Sequence, residues 1–224
     1  MTGIMASAKT IASSLPDELP VFPLTGAVLL PQARLPLNIF EPRYLAMVED
    51  ALGKGRVIGM IQPSAYDEDA SAPPPLYSVG CAGRITSFNE TEDGRLLIVL
   101  TGMCRFRVMA EMQASRIYRT VRPDWKPYLA DLEETEPAEI DRARLLDLLH
   151  VYFRKNAISV DWNTVQNAPN DVLVPTIIMI SPLEPNEKQA LLEAENFAAR
   201  ARMLATLLEM AVTPQTDSEG ELRH

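Results

Sequence analysis

Hydrophobic positions follow two different periods along the chain. In the first half they form short runs broken by proline and glycine, for example Leu19–Leu24, Ala27–Leu30 and Ala33–Phe40. Such punctuated runs are typical of strands that lie at edges or carry bulges. Pro42 suits the first turn of a helix that Gly53 would end. This region is therefore predicted to be a set of short strands with one inserted helix.

Two longer apolar runs are separated by a turn signal. Residues 77–89 and 95–109 flank Asp93-Gly94, and this dipeptide between alternating runs predicts a β-hairpin. Further strands are expected at residues 56–61 and at Ile117–Val121. Several short strands joined by tight turns favour a small barrel-like sheet.

After about residue 138 the apolar positions recur at helical spacing. Glu184-Pro185-Asn186-Glu187 combines a cap position, proline at the first helical position and glutamate three residues after the cap. Asn196 can cap a last helix, and Asp161 a shorter one. The predicted fold class is α+β, a β-barrel followed by an α-helical bundle. We expect a disordered leader at 1–17, the barrel at 18–125, a linker at 126–137, the bundle at 138–212 and a disordered tail at 213–224.

Charge and composition narrow the functional classes. The net charge is −9, but residues 77–127 carry eight basic and five acidic groups, whereas residues 128–224 carry eight basic and seventeen acidic groups. This overall acidity argues against nucleic acid as a partner. The chain has no apolar run of about 20 residues and no signal-peptide pattern, which predicts a cytoplasmic protein without a membrane segment.

Residues that commonly carry chemistry are sparse. Cys81 and Cys104 both lie in apolar runs, which favours buried free thiols, although a redox pair across neighbouring strands stays open. His150 and His224 have no visible catalytic partner. The acidic patch at residues 67–69 lacks metal-ligand spacing. We therefore expect no catalytic residue, no cofactor and no metal.

Several segments, in their order and spacing, resemble one known domain. They are Leu19–Leu24, Leu35–Tyr44, Val79–Ile85 and Leu97–Phe106, followed by helical segments at 170–182, 187–193 and 200–210. The chain resembles the N-terminal substrate-binding domain of the Lon protease family. That resemblance implies a PUA-like β pseudo-barrel followed by a helical subdomain. Neither a phosphate-binding Gly-x-x-x-x-Gly-Lys-Ser/Thr loop nor a Lon-type peptidase signature is present, so we expect a stand-alone module that is not an enzyme.

The resemblance implies binding of unfolded or client polypeptide, with a role as an adaptor to a protease or chaperone. The expected site is a cleft between barrel and bundle, where extended segments would add to exposed strand edges. Its candidate residues are Arg34, Asn38, Glu41, Arg43 and Tyr44. The alternative for these residues is a structural role, with Arg43 pairing with Glu41.

A second hypothesis uses the basic part of the barrel. The arginines from Arg105 to Arg122 alternate with apolar residues, which is typical of a half-exposed strand. A PUA-like barrel could instead bind RNA or another anion through Arg116, Arg119 and Arg122. The acidity of the whole chain weighs against that alternative.

Overall fold

A computed structural model describes Ala12 and residues 14–64, 73–113, 116–133 and 139–213. Most of the predicted leader, the acidic patch at 67–69 and the tail after Thr213 lie outside these residues. The described part has an α+β fold, with a six-stranded mixed sheet followed by a group of helices.

The sheet closes into a pseudo-barrel around its longest strand. Its strands are β1 (Leu19–Pro23), β2 (Arg34–Ile39), β3 (Val57–Ile61), β4 (Val79–Glu90), β5 (Leu96–Glu111) and β6 (Thr120–Asp124). The order is β2-β5-β4-β3-β1-β6, and β6 pairs in addition with the C-terminal half of β5. β1 and β3 are parallel, and the other pairs are antiparallel. β2 is added to the N-terminal half of β5 as an edge strand.

Glycine is required at position 102, where β5 passes directly against the backbone of Leu30. A Cβ atom on Gly102 of β5 would lie 2.0 Å from the carbonyl oxygen of Leu30, a backbone atom. The Gly102 amide donates to the Ala33 carbonyl at 2.8 Å. The run Ala27–Leu30, predicted as a strand, is therefore irregular, because it is tucked into the core beside β5 instead of joining a ladder.

The helices follow the predicted pattern closely. α1 (Pro42–Leu52) is inserted after β2, and a 3-10 helix (Lys126–Leu132) follows β6. The remaining helices are α2 (Arg142–Lys155), α3 (Trp162–Asn167), α4 (Asn170–Ile180), α5 (Pro185–Glu193) and α6 (Phe197–Val212). Glu184 and Glu187 form the capping box of α5, and the Asn196 side chain accepts from the Ala199 amide at the start of α6.

Buried polar side chains fill the junction between barrel and helices. The Gln62 amide nitrogen donates to the Gln189 side chain at 3.2 Å, and the Gln189 amide nitrogen donates to the Val79 carbonyl at 3.0 Å. The Lys188 ammonium donates to the carbonyls of Gly26 and Met179 at 2.9 and 3.1 Å. At these positions the junction is packed, so the cleft expected there is not formed by these residues.

A second set of contacts involves an arginine that the sequence pattern placed on the surface. Arg105 is 5% exposed and forms a buried ion pair with Asp131 of the 3-10 helix at 2.8 Å. Its guanidinium also donates to the carbonyls of Leu192 and Ala194 at 3.2 and 2.7 Å. The expectation of a solvated Arg105 was wrong, because β5 passes beneath the end of α5 and the 3-10 helix. The segment predicted as a linker thus contains a packed helical turn.

Candidate functional site

A groove opens on the side of the barrel where α1 meets the chain before β6. It has a volume of about 500 Å³. Its walls come from β1 and α1, from the loop before Tyr77 and from the segment joining β5 to β6. The lining residues are Glu18, Pro23, Thr25, Arg43, Tyr44, Pro63, Pro73, Pro74, Glu111, Met112, Gln113, Arg116, Ile117, Tyr118, Arg119 and Thr120.

The start of α1 positions one wall of this groove. Glu41 is the extended N-cap residue and Pro42 the first helical residue, so the chain turns sharply from β2 into α1. Arg43 then pairs with Glu41 at 2.7 Å and lies 4.6 Å above the Tyr44 ring. The Tyr44 ring packs on Phe22 at 4.2 Å, and burial raises the pKa of its hydroxyl. This wall therefore presents the neutral Tyr44 ring, and beside it the Arg43 guanidinium, whose charge is balanced by Glu41.

A chain of hydrogen bonds holds the opposite wall against the end of α1. Arg116 donates to the Tyr118 hydroxyl at 2.8 Å, and that hydroxyl donates to Asp50 at 2.5 Å. Arg116 also forms an ion pair with Asp50. The hydrogen bond from Tyr118, with the nearby positive charge of Arg116, lowers the pKa of Asp50. These contacts hold the Tyr118 ring in the groove wall, and Asp50 neutralises the charge of Arg116.

The third arginine of the groove is also engaged. Arg119 makes a two-bond ion pair with Glu111, both bonds being 2.6 Å long, and donates to the Pro74 carbonyl at 2.7 Å. This bidentate geometry orients the guanidinium along the wall. Arg119 therefore joins the loop before Tyr77 to the end of β5.

The groove combines exposed apolar surface with charges that are mostly paired. Ile117 is 67% exposed, and Met112 and several prolines lie beside it. Such a concave surface, with few uncompensated polar groups, suits an apolar side chain carried by an extended chain. Within the part of the chain that the structure describes, no group of three or more His, Cys, Asp or Glu side chains could hold a metal ion.

The structure divides the residues expected from sequence to form a peptide site. Arg43 and Tyr44 line the groove, and Glu41 contributes through its pair with Arg43. Arg34 and Asn38 are exposed on β2, where Asn38 is paired with Leu97 of β5, and neither lines the groove. Of the five residues, Arg43 and Tyr44 are therefore the two that line the groove.

The alternative set is divided in the same way. Arg116 and Arg119 line the same groove as Arg43 and Tyr44, each paired with a carboxylate. Arg122 is exposed on β6, opposite Ala110 of β5, outside the groove lining. Met112, Ile117 and Tyr118 also line the groove, although the sequence pattern did not indicate them as site residues. The signal for them was the apolar Ile117-Tyr118 pair among arginines, which was assigned to a strand.

The two cysteines project from opposite faces of the sheet. Cys81 of β4 is paired with Arg105 of β5, and Cys104 is the residue before Arg105. Since successive side chains alternate between faces, the thiols point apart, which disfavours the redox pair left open by the sequence. Burial raises the pKa of both, that of Cys104 to about 12. Buried, protonated thiols are poor nucleophiles.

Comparison with known proteins supplies the family context. The model of the ATP-dependent protease La (LON) substrate-binding domain matches residues 18–210. Lon protease 2 of Sorangium cellulosum is 27% identical over 218 residues, which are 90% of this chain and 26% of that protease. Lon protease of Flavobacterium johnsoniae is 28% identical, over 90% of this chain and 25% of its own length. The chain therefore spans about a quarter of the length of these curated relatives. The matched region is the substrate-binding domain and not a catalytic domain.

Solved structures agree with this comparison. The crystal structure of a Lon N-terminal domain protein from Xanthomonas campestris has a TM-score of 0.56 and 26% identity, covering 86% of this chain and 97% of that one. The N-terminal domain of a Mycobacterium avium complex Lon protease has a TM-score of 0.57 at 18% identity, covering 86% and 98%, and supports the fold alone. Among the described residues, no helix is both long and apolar enough to span a membrane.

Proposed function

Because the chain belongs to the family of LON substrate-binding domains, we propose that it binds segments of unfolded or client polypeptide in the groove between α1 and β6. The main support for this proposal is the family match, together with the exposed apolar lining of that groove, in which Ile117 is 67% exposed. Binding would use apolar contacts to the groove wall and hydrogen bonds to the peptide backbone, without a cofactor.

The proposed binding is non-catalytic. Among the lining residues, the ionisable side chains are arginines, glutamates and tyrosines, and each arginine is held by a carboxylate. A nucleophile with an adjacent base, which covalent catalysis needs, is not among these lining residues. The groove therefore suits recognition rather than bond cleavage.

We further propose that the bound polypeptide is passed to a protease or chaperone, so that the chain acts as an adaptor in protein quality control in the cytoplasm. The support is the identity of the relatives, which are named as Lon proteases. Crosslinking of a bound, labelled client to a second protein in cell extract, dependent on an intact groove, would test this step.

The peptide-binding step is tested with a matched pair of surface substitutions. Ile117→Lys places a charge on the groove wall, whereas Ile180→Lys places the same charge at the end of α4, outside the groove lining, where the isoleucine is 53% exposed. Contact with one buried apolar side chain is worth about 1.5–3 kcal/mol, so Ile117→Lys should weaken peptide binding roughly 10- to 100-fold. Ile180→Lys should leave it unchanged.

The measurement is fluorescence polarisation of short labelled peptides that contain a central phenylalanine, together with a chemically denatured and alkylated protein as competitor. Circular dichroism would show that both variants remain folded. Equal binding to both variants would place the peptide elsewhere on the molecule. Absence of any peptide binding by the unmodified protein would refute the proposed function.

RNA binding is not proposed as a second function. Arg116 and Arg119 are each bound to a carboxylate, and among the described residues Arg122 is the member of that set in no ion pair. A phosphate would have to displace Asp50 or Glu111 to reach the other two guanidiniums. The groove charges therefore favour a polypeptide ligand over a polyanion.

A further inference from the structure

Among the described residues, one carboxylate of the groove wall is in no ion pair. Each lining arginine has its own carboxylate, in the pairs Arg43–Glu41, Arg116–Asp50 and Arg119–Glu111. Glu18, the residue before β1, also lines the groove and is exposed. Within the described residues it takes part in no ion pair and no side-chain hydrogen bond. The groove wall thus carries one negative charge that a ligand could neutralise.

Glu18 lies where this groove meets a second, smaller cavity. That cavity has a volume of about 220 Å³, and its apolar walls include Pro20, Ala51 and Val57. It shares Glu18, Arg116, Tyr118 and Thr120 with the groove. An extended segment that places side chains in both cavities would therefore pass beside the Glu18 carboxylate.

The smaller cavity also carries two cations, which act on a different carboxylate. Lys54 and Arg116 both line it, and both interact with the single carboxylate of Asp50. In the larger groove each of the three lining arginines pairs with its own carboxylate, so among the described residues Glu18 is the charged lining residue that is in no ion pair. A lysine or arginine of a ligand beside Glu18 could form an ion pair with it, whereas an aspartate or glutamate at the same point would be repelled by it.

We propose that Glu18 is a specificity determinant, and that the groove selects polypeptide segments in which a large apolar side chain lies next to lysine or arginine. This inference rests on the proposed function, because it assumes that polypeptide occupies the groove. The apolar side chain packs against Ile117 and Tyr118, and the neighbouring cation forms a charge-assisted hydrogen bond with Glu18. An acidic side chain at the same point is repelled by Glu18, and each arginine of the groove already pairs with a carboxylate.

The test compares three labelled peptides that share a central phenylalanine and differ at one adjacent position, which is lysine, glutamine or glutamate. For the unmodified protein, the lysine peptide should bind about three- to tenfold more tightly than the glutamate peptide. This factor is expected because the lysine peptide gains a partly exposed ion pair with Glu18, whereas the glutamate peptide is repelled by it. The difference should shrink in high salt, since exposed charges are screened.

Three variants identify the residue responsible. Glu18→Gln should reduce the difference between the lysine and glutamate peptides to less than about twofold, and Glu18→Lys should reverse their order. Asp17→Asn removes the adjacent exposed carboxylate, which does not line the groove, and should leave the preference unchanged. Because Glu18 is exposed and forms no ion pair with a described residue, its variants should unfold at the same temperature as the unmodified protein.

The outcomes separate this inference from the proposed function. If none of the three peptides binds the unmodified protein, both fail. If all bind with equal affinity and Ile117→Lys weakens binding as expected, polypeptide binding stands and the role of Glu18 is overturned. If Asp17→Asn removes the preference as fully as Glu18→Gln, the effect comes from the net charge of the surface and the inference also fails.

Discussion

Removal of the buried carboxylate Asp131 should destabilise the protein more than any single change at its exposed ion pairs. One Asp131 oxygen accepts from the backbone amide and from Nε of Arg105, both at 2.9 Å, and the other accepts from Nη2 at 2.8 Å. The two side chains are only 6% and 10% exposed. In Asp131→Ala the Arg105 guanidinium would stay buried without a counter-charge, beside Arg200.

The expected loss follows from that geometry. Breaking a buried ion pair by removing one partner costs about 3–5 kcal/mol, because an uncompensated charge stays out of water. The proximity of a second buried guanidinium adds repulsion, and burial already lowers the pKa of Arg200 to about 10. Since domains are stable by only about 5–15 kcal/mol in total, Asp131→Ala should remove a large fraction of the free energy of unfolding.

Urea unfolding, followed by tryptophan fluorescence and far-ultraviolet circular dichroism, measures this loss. Glu111→Ala is the control, because it removes the partner of Arg119 at a site where Glu111 is 44% exposed, and it should cost less than about 1 kcal/mol. The double variant Arg105→Met with Asp131→Leu should be more stable than Asp131→Ala alone, since no charge remains buried. If Asp131→Ala and Glu111→Ala cost the same, the buried pair does not hold the 3-10 helix as argued.

The remaining predictions concern backbone space and thiol chemistry. Gly102→Ala should cost about 3 kcal/mol or more, because its Cβ would overlap the Leu30 carbonyl, whereas Gly94→Ala has open space around its Cβ and should cost only ~1–2 kcal/mol for its φ of +76°. Urea unfolding measures both losses, and equal losses would contradict the close approach at Gly102. Cys81 and Cys104 should resist alkylation in the native protein at pH values where a free thiol, of pKa about 8.5, reacts readily, because burial raises the pKa of both thiols. Rapid labelling of the native protein, or a disulfide formed under mild oxidant without unfolding, would contradict the structure.

Local sequence signals predicted most elements because each signal acts over only a few residues. Pro42 begins α1 and Gly53 follows its last residue, as the sequence indicated. The turn at Asp93-Gly94 joins β4 to β5, with Gly94 at a φ of +76°. The resemblance to the Lon substrate-binding domain is confirmed by the family match over residues 18–210. These features depend on local backbone preferences and on the order of segments along the chain, and both can be read from a single sequence.

Arg105 shows where the same reasoning failed. Alternation along a strand tells which residues share a face, but not whether a later segment will cover that face. Here the 3-10 helix and the end of α5 cover it, and Asp131 supplies the counter-charge from 26 residues further along the chain. A buried arginine and an exposed arginine can both stand at a polar position of an alternating strand. Only the tertiary partner distinguishes them.

The candidate site divides along the same line. The sequence by itself determined that Arg43 and Tyr44 stand at the start of a helix after an edge strand, because proline and the cap position act locally. Only the tertiary structure decided that Ile117 and Tyr118, more than 70 positions away, close over them to form a groove, while Arg34 and Asn38 stay on β2. It also decided which charges are paired, and among the described residues it placed Glu18 in no ion pair. Pairing of charges depends on distance in space, and that distance is set by how the barrel closes.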